Sequence, residues 1–169
     1  MKKSIVYILL AALLMTALFS ASCNRKTIND DDFEDIMDDL DYDINKYVDG
    51  LPKGMDRRIN AYDSDDFFAF YVEFDDEEDA IEEYEDILDD VMDAKDDEDF
   101  EGKIKKSGSG NYNKLIVNGD FDDEVNEFPE GNIYAVIYRI EDIIIVVGAT
   151  DNDKRDIEEV EEVLKELGY

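Results

Sequence analysis

Histidine and tryptophan are absent from the 169 residues, cysteine occurs once, proline twice, and Lys plus Arg number 17 against 48 Asp plus Glu. Each shortage excludes some chemistry. Without His there is no Ser-His-Asp or Cys-His activation of a nucleophile and no His-ligated zinc, haem or copper. A single Cys excludes an intrachain disulfide, a zinc ribbon and a CxxC redox pair. A net charge of −31 repels phosphate backbones and anionic headgroups, so nucleic acid is not an expected partner. No cofactor is expected either.

What is present begins with an address. Lys2 and Lys3 precede an uncharged run from Ile5 to Phe19, followed by Ser20, Ala21, Ser22 and the only cysteine, Cys23. A basic start, an apolar centre and a small-residue exit are the marks of a secretory signal. A permanent membrane helix needs about 20 apolar residues, more than this run supplies. Ser20-Ala21-Ser22-Cys23 resembles the lipobox of bacterial lipoproteins, with Ser20 where Leu is usual. The other reading is an ordinary secreted chain cut near Ser22 and left with a free thiol, which is an oxidation liability that acylation would remove. The lipoprotein resemblance implies a thioether-linked diacylglycerol on Cys23. Each buried methylene contributes about 0.8 kcal/mol, so two or three chains hold a protein stably at a membrane. The expected organisation is therefore a signal over residues 1–22, a lipidated tether over 23–29 and one acidic domain over 30–169, held on the extracytoplasmic face of a cell membrane.

All 48 acids follow the signal, yet the mature chain does not read as disordered, because apolar residues recur with clean periods. Phe33, Ile36, Met37, Leu40, Ile44, Tyr47 and Val48 share one helical face, which predicts a helix over 31–49 stopped by Gly50 and Pro52. Strands are expected over 57–62 and 66–74. In the second, Phe68, Phe70, Val72 and Phe74 face the core, and Tyr71 and Glu73 face water. A second helix over 77–94 carries Ala80, Ile81, Tyr84, Ile87, Leu88, Val91 and Met92 in a stripe, capped by Asp75 or Asp76. Residues 95–111 show no period and read as a mobile connection. A strand over 112–118, a loop over 119–131, and a hairpin over 132–140 and 143–149 follow. The Glu141-Asp142 tip of that hairpin lacks Gly, which predicts a loop longer than two residues. Ile157, Val160, Val163, Leu164 and Leu167 mark a last helix over 153–167.

The order α-β-β-α-β-β-β-α predicts an α+β domain of two layers, with a largely antiparallel sheet of four to five strands and three helices. The run Ile143 to Val147 is apolar on both faces and belongs in a central strand. Residues 66–80 (DFFAFYVEFDDEEDA), Asn111 to Lys114, Tyr134 to Val146 and the ending Val163 to Tyr169 together resemble small lipoproteins of Gram-positive gut bacteria. No activity attaches to that group, so the resemblance implies an address and a fold, and no functional residue carries over.

Candidate sites are sparse. Asp41-Tyr42-Asp43-Ile44-Asn45 has an EF-hand opening, but Lys46 stands where that loop needs Gly and Pro52 where it needs Glu. Asp120, Asp122, Asp123 and Glu124 form a looser oxygen-rich cluster, a weak candidate for a divalent cation that reads first as solvated loop acids. Ser107-Gly108-Ser109-Gly110 lacks the Lys-Ser/Thr ending of a phosphate loop and reads as a linker. Phe67 and Tyr71, on the wet face of their strand, are the candidates for contact with a ligand or partner. The expected function is a non-catalytic binding or interaction domain, lipid-anchored at the cell surface. Its partner would be a cationic protein or envelope component drawn by the acidic field. The alternative is a small envelope hydrolase using paired carboxylates. Acidity that serves solubility alone needs no ligand at all.

Overall fold

The computed structural model describes residues 27–63, 66–126 and 128–169. The first helix, α1 (Asp30–Asp39), starts because the Asn29 side chain accepts a hydrogen bond from the Asp32 N–H at 2.7 Å, and because three acids fill its positive first turn. Its end departs from the expected 31–49. Asp41 takes a φ of 62°, which breaks the helix, and the chain turns into strand β1 (Asp43–Tyr47). The helical spacing of Ile44, Tyr47 and Val48 was coincidental. Tyr47 and Val48 are 45% and 62% exposed, so no core face extends that far.

Strands β2 (Met55–Asp63) and β3 (Phe67–Phe74) follow, then helix α2 (Glu77–Asp96), whose cap Asp76 accepts from the N–H groups of Glu78 and Asp79 at 2.9 and 3.1 Å. Strand β4 (Phe100–Ser109) occupies the stretch expected to be a mobile connection. It pairs along its whole length with β5 (Tyr112–Phe121), and β6 (Gly131–Ile140), β7 (Ile143–Ala149) and helix α3 (Lys154–Glu166) complete the chain. The β6–β7 connection is two residues, shorter than expected. Glu141 adopts a φ of 56° without being Gly, and its N–H is held by the Asn111 carbonyl at 2.8 Å.

The α+β class and three helices hold, but the sheet has seven strands rather than four to five, in the order β1-β2-β3-β7-β6-β5-β4 with every neighbouring pair antiparallel. β7 is central, as its two-faced apolar run requires. The expected two layers are three. On one face of the sheet, Phe33 and Met37 of α1 and Val160, Val163 and Leu164 of α3 pack over Ile59, Tyr71, Val136 and Ile145. On the other, Ala80, Tyr84, Ile87 and Val91 of α2 pack over Phe68, Phe70, Ile137 and Ile144. Tyr71 was expected to be wet and is 1% exposed, with its ring 5.6 Å from that of Phe33. Ile28, which lies in the expected tether, is buried in the same layer.

One close approach shows why glycine is needed inside the sheet. Gly102 and Gly119 pair across β4 and β5, and the Phe100 ring lies over both. A Cβ on Gly119 would meet the ring at 2.6 Å.

Phe33 anchors the helix layer to the sheet. Replacing a fully buried Phe with Ala removes its transfer energy and leaves a cavity, so Phe33→Ala is expected to lower the unfolding free energy by about 3–5 kcal/mol in urea titrations.

Candidate functional site

Ser20, Ala21, Ser22 and Cys23 lie outside the described residues. Phe67 and Tyr71 are buried at 7% and 1% exposure, so neither meets a ligand; they were misplaced because the face opposite Phe68 lies under α1 and α3 instead of in water. Asp120 is the penultimate residue of β5, whereas Asp122, Asp123 and Glu124 lie in the loop beyond it, and their oxygens do not converge as a cation site. Among the described residues the one acidic trio with convergent oxygens is Asp30, Asp31 and Glu34. The chain's own cations already meet it: Arg57 pairs with Asp30, and Lys46 pairs with Glu34. Asp41, Asp43 and Asn45 lie on a turn and a strand, which is not the geometry of a calcium loop.

Two constellations emerge that the sequence reading did not find. The first surrounds Arg139, a lone charge in the apolar run of β6 and 1% exposed. Its Nε and Nη2 donate to Asn113 Oδ1 at 2.9 and 2.6 Å, and Nη2 also donates to the Gly110 carbonyl. Nη1 donates to the Glu141 carbonyl at 3.1 Å and to Glu77 Oε1 at 3.3 Å. Five N–H groups thus have acceptors, and the β4–β5 turn, the β6–β7 turn and the first turn of α2 are tied to one guanidinium. A cleft of about 340 Å³ lies above it, walled by Ile81, Tyr84 and Leu88 of α2 and by Lys106 of β4. Burial pushes the Tyr84 phenol up to about 12, although the Arg139 charge opposes the shift. The guanidinium is fully committed to internal acceptors, so this constellation is a clamp.

The second is an acidic groove of about 470 Å³ where the turn between α1 and β1 and the end of β2 face α3. Leu40, Tyr42 and Val163 form its apolar floor; Asp63, Glu158, Glu159 and Glu162 line its rim, with Arg155 beside them. α3 supplies five of these because residues 155, 158, 159, 162 and 163 recur on one helical face. Desolvation, then the nearby Asp63 carboxylate, raise the Glu159 carboxyl above its ordinary value. Burial, with Glu159 and Asp63, also pushes the Tyr42 phenol up. Arg155 is drawn aside: its Nη2 and Nε donate to Asp156 Oδ1 at 2.9 and 3.2 Å. The rim keeps excess negative charge over apolar carbons, a setting suited to a Lys or Arg side chain with its aliphatic stem on the floor and its charge among carboxylates.

Arg139→Met should lower stability by about 2–4 kcal/mol in urea titrations, because two carbonyls and an amide oxygen lose their donor; Arg139→Lys should recover less than half, since an ammonium cannot span the same acceptors. Glu159 holds its proton more tightly folded than unfolded, so its contribution to stability is present below pH 4.5 and is lost as pH rises through the higher folded value. At pH 7 its charge is therefore a net cost. Glu159→Gln is expected to melt at a higher temperature than the parent at pH 7, with the advantage vanishing in melts run below pH 4.5. In comparisons with known proteins, no family model, no curated protein and no solved structure matches this chain.

Proposed function

We propose that the protein is a non-catalytic binding domain, lipid-anchored through Cys23 on the extracytoplasmic face of a cell membrane, that holds a cationic protein or envelope component in its acidic groove. The observation that carries the anchor is the placement of the only cysteine directly after Ser20, Ala21 and Ser22 at the end of an uncharged run, five residues before the core begins at Ile28. The groove supports the second half of the reading. Its rim gathers four carboxylates around a floor that a basic side chain's stem can cover, and the field of a chain at −31 speeds encounter with cations. Such a surface disfavours nucleic acid.

The test has two stages. Mass spectrometry of membrane fractions from a bacterial host should find an acylated N-terminus at Cys23, and a Cys23→Ser chain should show none and leave the membrane. Poly-lysine binding by the chain lacking residues 1–22 should weaken at least about tenfold between about 50 and 500 mM salt. It should weaken similarly when Glu158, Glu159 and Glu162 are changed together to Gln. Full-length, unprocessed chain in the cytosol refutes the anchor, and salt-insensitive binding refutes the groove.

A further inference from the structure

The two edges of the sheet are unequal. β1 closes one side with five residues, whereas β4 closes the other with ten, and among the described residues no strand pairs with the outer side of β4. Only Phe100 is buried and only Ile104 is half-buried along β4; the other eight residues are exposed. An edge of this length turns a row of N–H and C=O groups outward, which is a template for an extended chain.

Charge decides which chain it accepts. β4 carries Lys103, Lys105 and Lys106 against Glu101 alone, in a protein where acids outnumber bases 48 to 17. The register sets Lys103 opposite Asn118 and Lys105 opposite Ile116, on the same face as Lys114, whose ammonium lies 4.9 Å from the centroid of the Tyr138 ring. Residues 101, 103, 105, 107 and 109 on that face are all exposed, so α1 and α3 do not cover it. Lys106 points to the other face, opposite Leu115. Lysines at alternate positions therefore present cations about 7 Å apart on one side of the strand, with a third on the reverse.

We propose that β4 receives an extended acidic segment of a partner protein as an eighth strand. Main-chain hydrogen bonds supply affinity, carboxylates at alternate positions meet Lys103 and Lys105, and one on the reverse face meets Lys106. A second copy of β4 is the wrong occupant. Antiparallel self-pairing centred on Ile104 sets Lys103 against Lys105, where like charges destabilise the pair. The same residues that guard the edge against its own copy select a strand of opposite charge. This surface is separate from the acidic groove, and the proposal does not depend on what the groove binds.

The test titrates the mature chain with a ten-residue peptide of alternating Glu and Thr, matched to the length of β4. Controls are a Lys-Thr peptide and a Glu-Thr peptide with two central Pro residues. Hydrogen exchange at residues 102–108 should slow at least about tenfold with the Glu-Thr peptide and not with either control. Lys103→Glu with Lys105→Glu should weaken binding at least about tenfold, while the melting temperature stays within about 2 °C because both positions are exposed. No protection on β4, equal binding of the Pro-containing peptide, or slowed exchange in the free chain at high concentration through self-pairing would each overturn the proposal.

Discussion

The fold depends on one hairpin being apolar on both faces. Every residue of β7 is buried, and β6 is buried from Ile133 to Ile140, so the centre of the sheet tolerates water on neither side. Each large aliphatic or aromatic side chain there is worth about 1.5–3 kcal/mol when covered. Leaving one face open would forfeit that gain several times over. Helices are therefore required on both faces: α1 and α3 on one, α2 on the other. This requirement also sorts the charge. Among the described residues only Arg139 and Asp156 are charged and buried, and the remaining acids are driven to helix exteriors, turns and rims.

Part of that acidity is structural. Asn29, Asp76 and Asp153 cap the three helices, and acids fill the first turns of α1 and α2, where the helix dipole favours negative charge. The remainder is mutual repulsion that the core must outweigh, and the single buried guanidinium marks where the chain resists it. Arg139 gathers the two sheet turns and the start of α2 at one end of the molecule, pairing with the Glu77 carboxylate and donating to the Glu141 main-chain carbonyl.

How much of this was legible follows from burial. The elements with a strong periodic face were readable: α2 and α3 to within a few residues, β3 and the β6–β7 hairpin, and the central place of β7. Both missed strands, β1 and β4, are edges. An edge strand that buries little on either face has no alternation to betray it, and Lys, Gly and Ser in β4 imitate a linker. The two-layer expectation failed at Tyr71 for a related reason. Glu73 beside it suggested a wet face, but a strand's end can be exposed while its middle is covered, and only the position of α1 settles which. The clamp was invisible because its partners stand up to 62 residues from Arg139 in the chain. The acidic groove was hidden likewise, since it joins the α1–β1 turn, the end of β2 and α3, and among 48 acids no local pattern marks the four that converge.

Segregation of charge gives the domain two unlike surfaces. The groove rim is anionic and β4 is cationic, and at physiological ionic strength charges are screened beyond about 8 Å, so each surface acts on what touches it more than through the net charge of the whole. On the proposed anchor the same charges set the posture of the domain. In the sequence Arg25 and Lys26 follow Cys23 after a single Asn, whereas the acids begin at Asp30. On that proposal the basic foot and the acidic body favour a domain standing off the bilayer, with the groove and the outer side of β4 turned to the solvent.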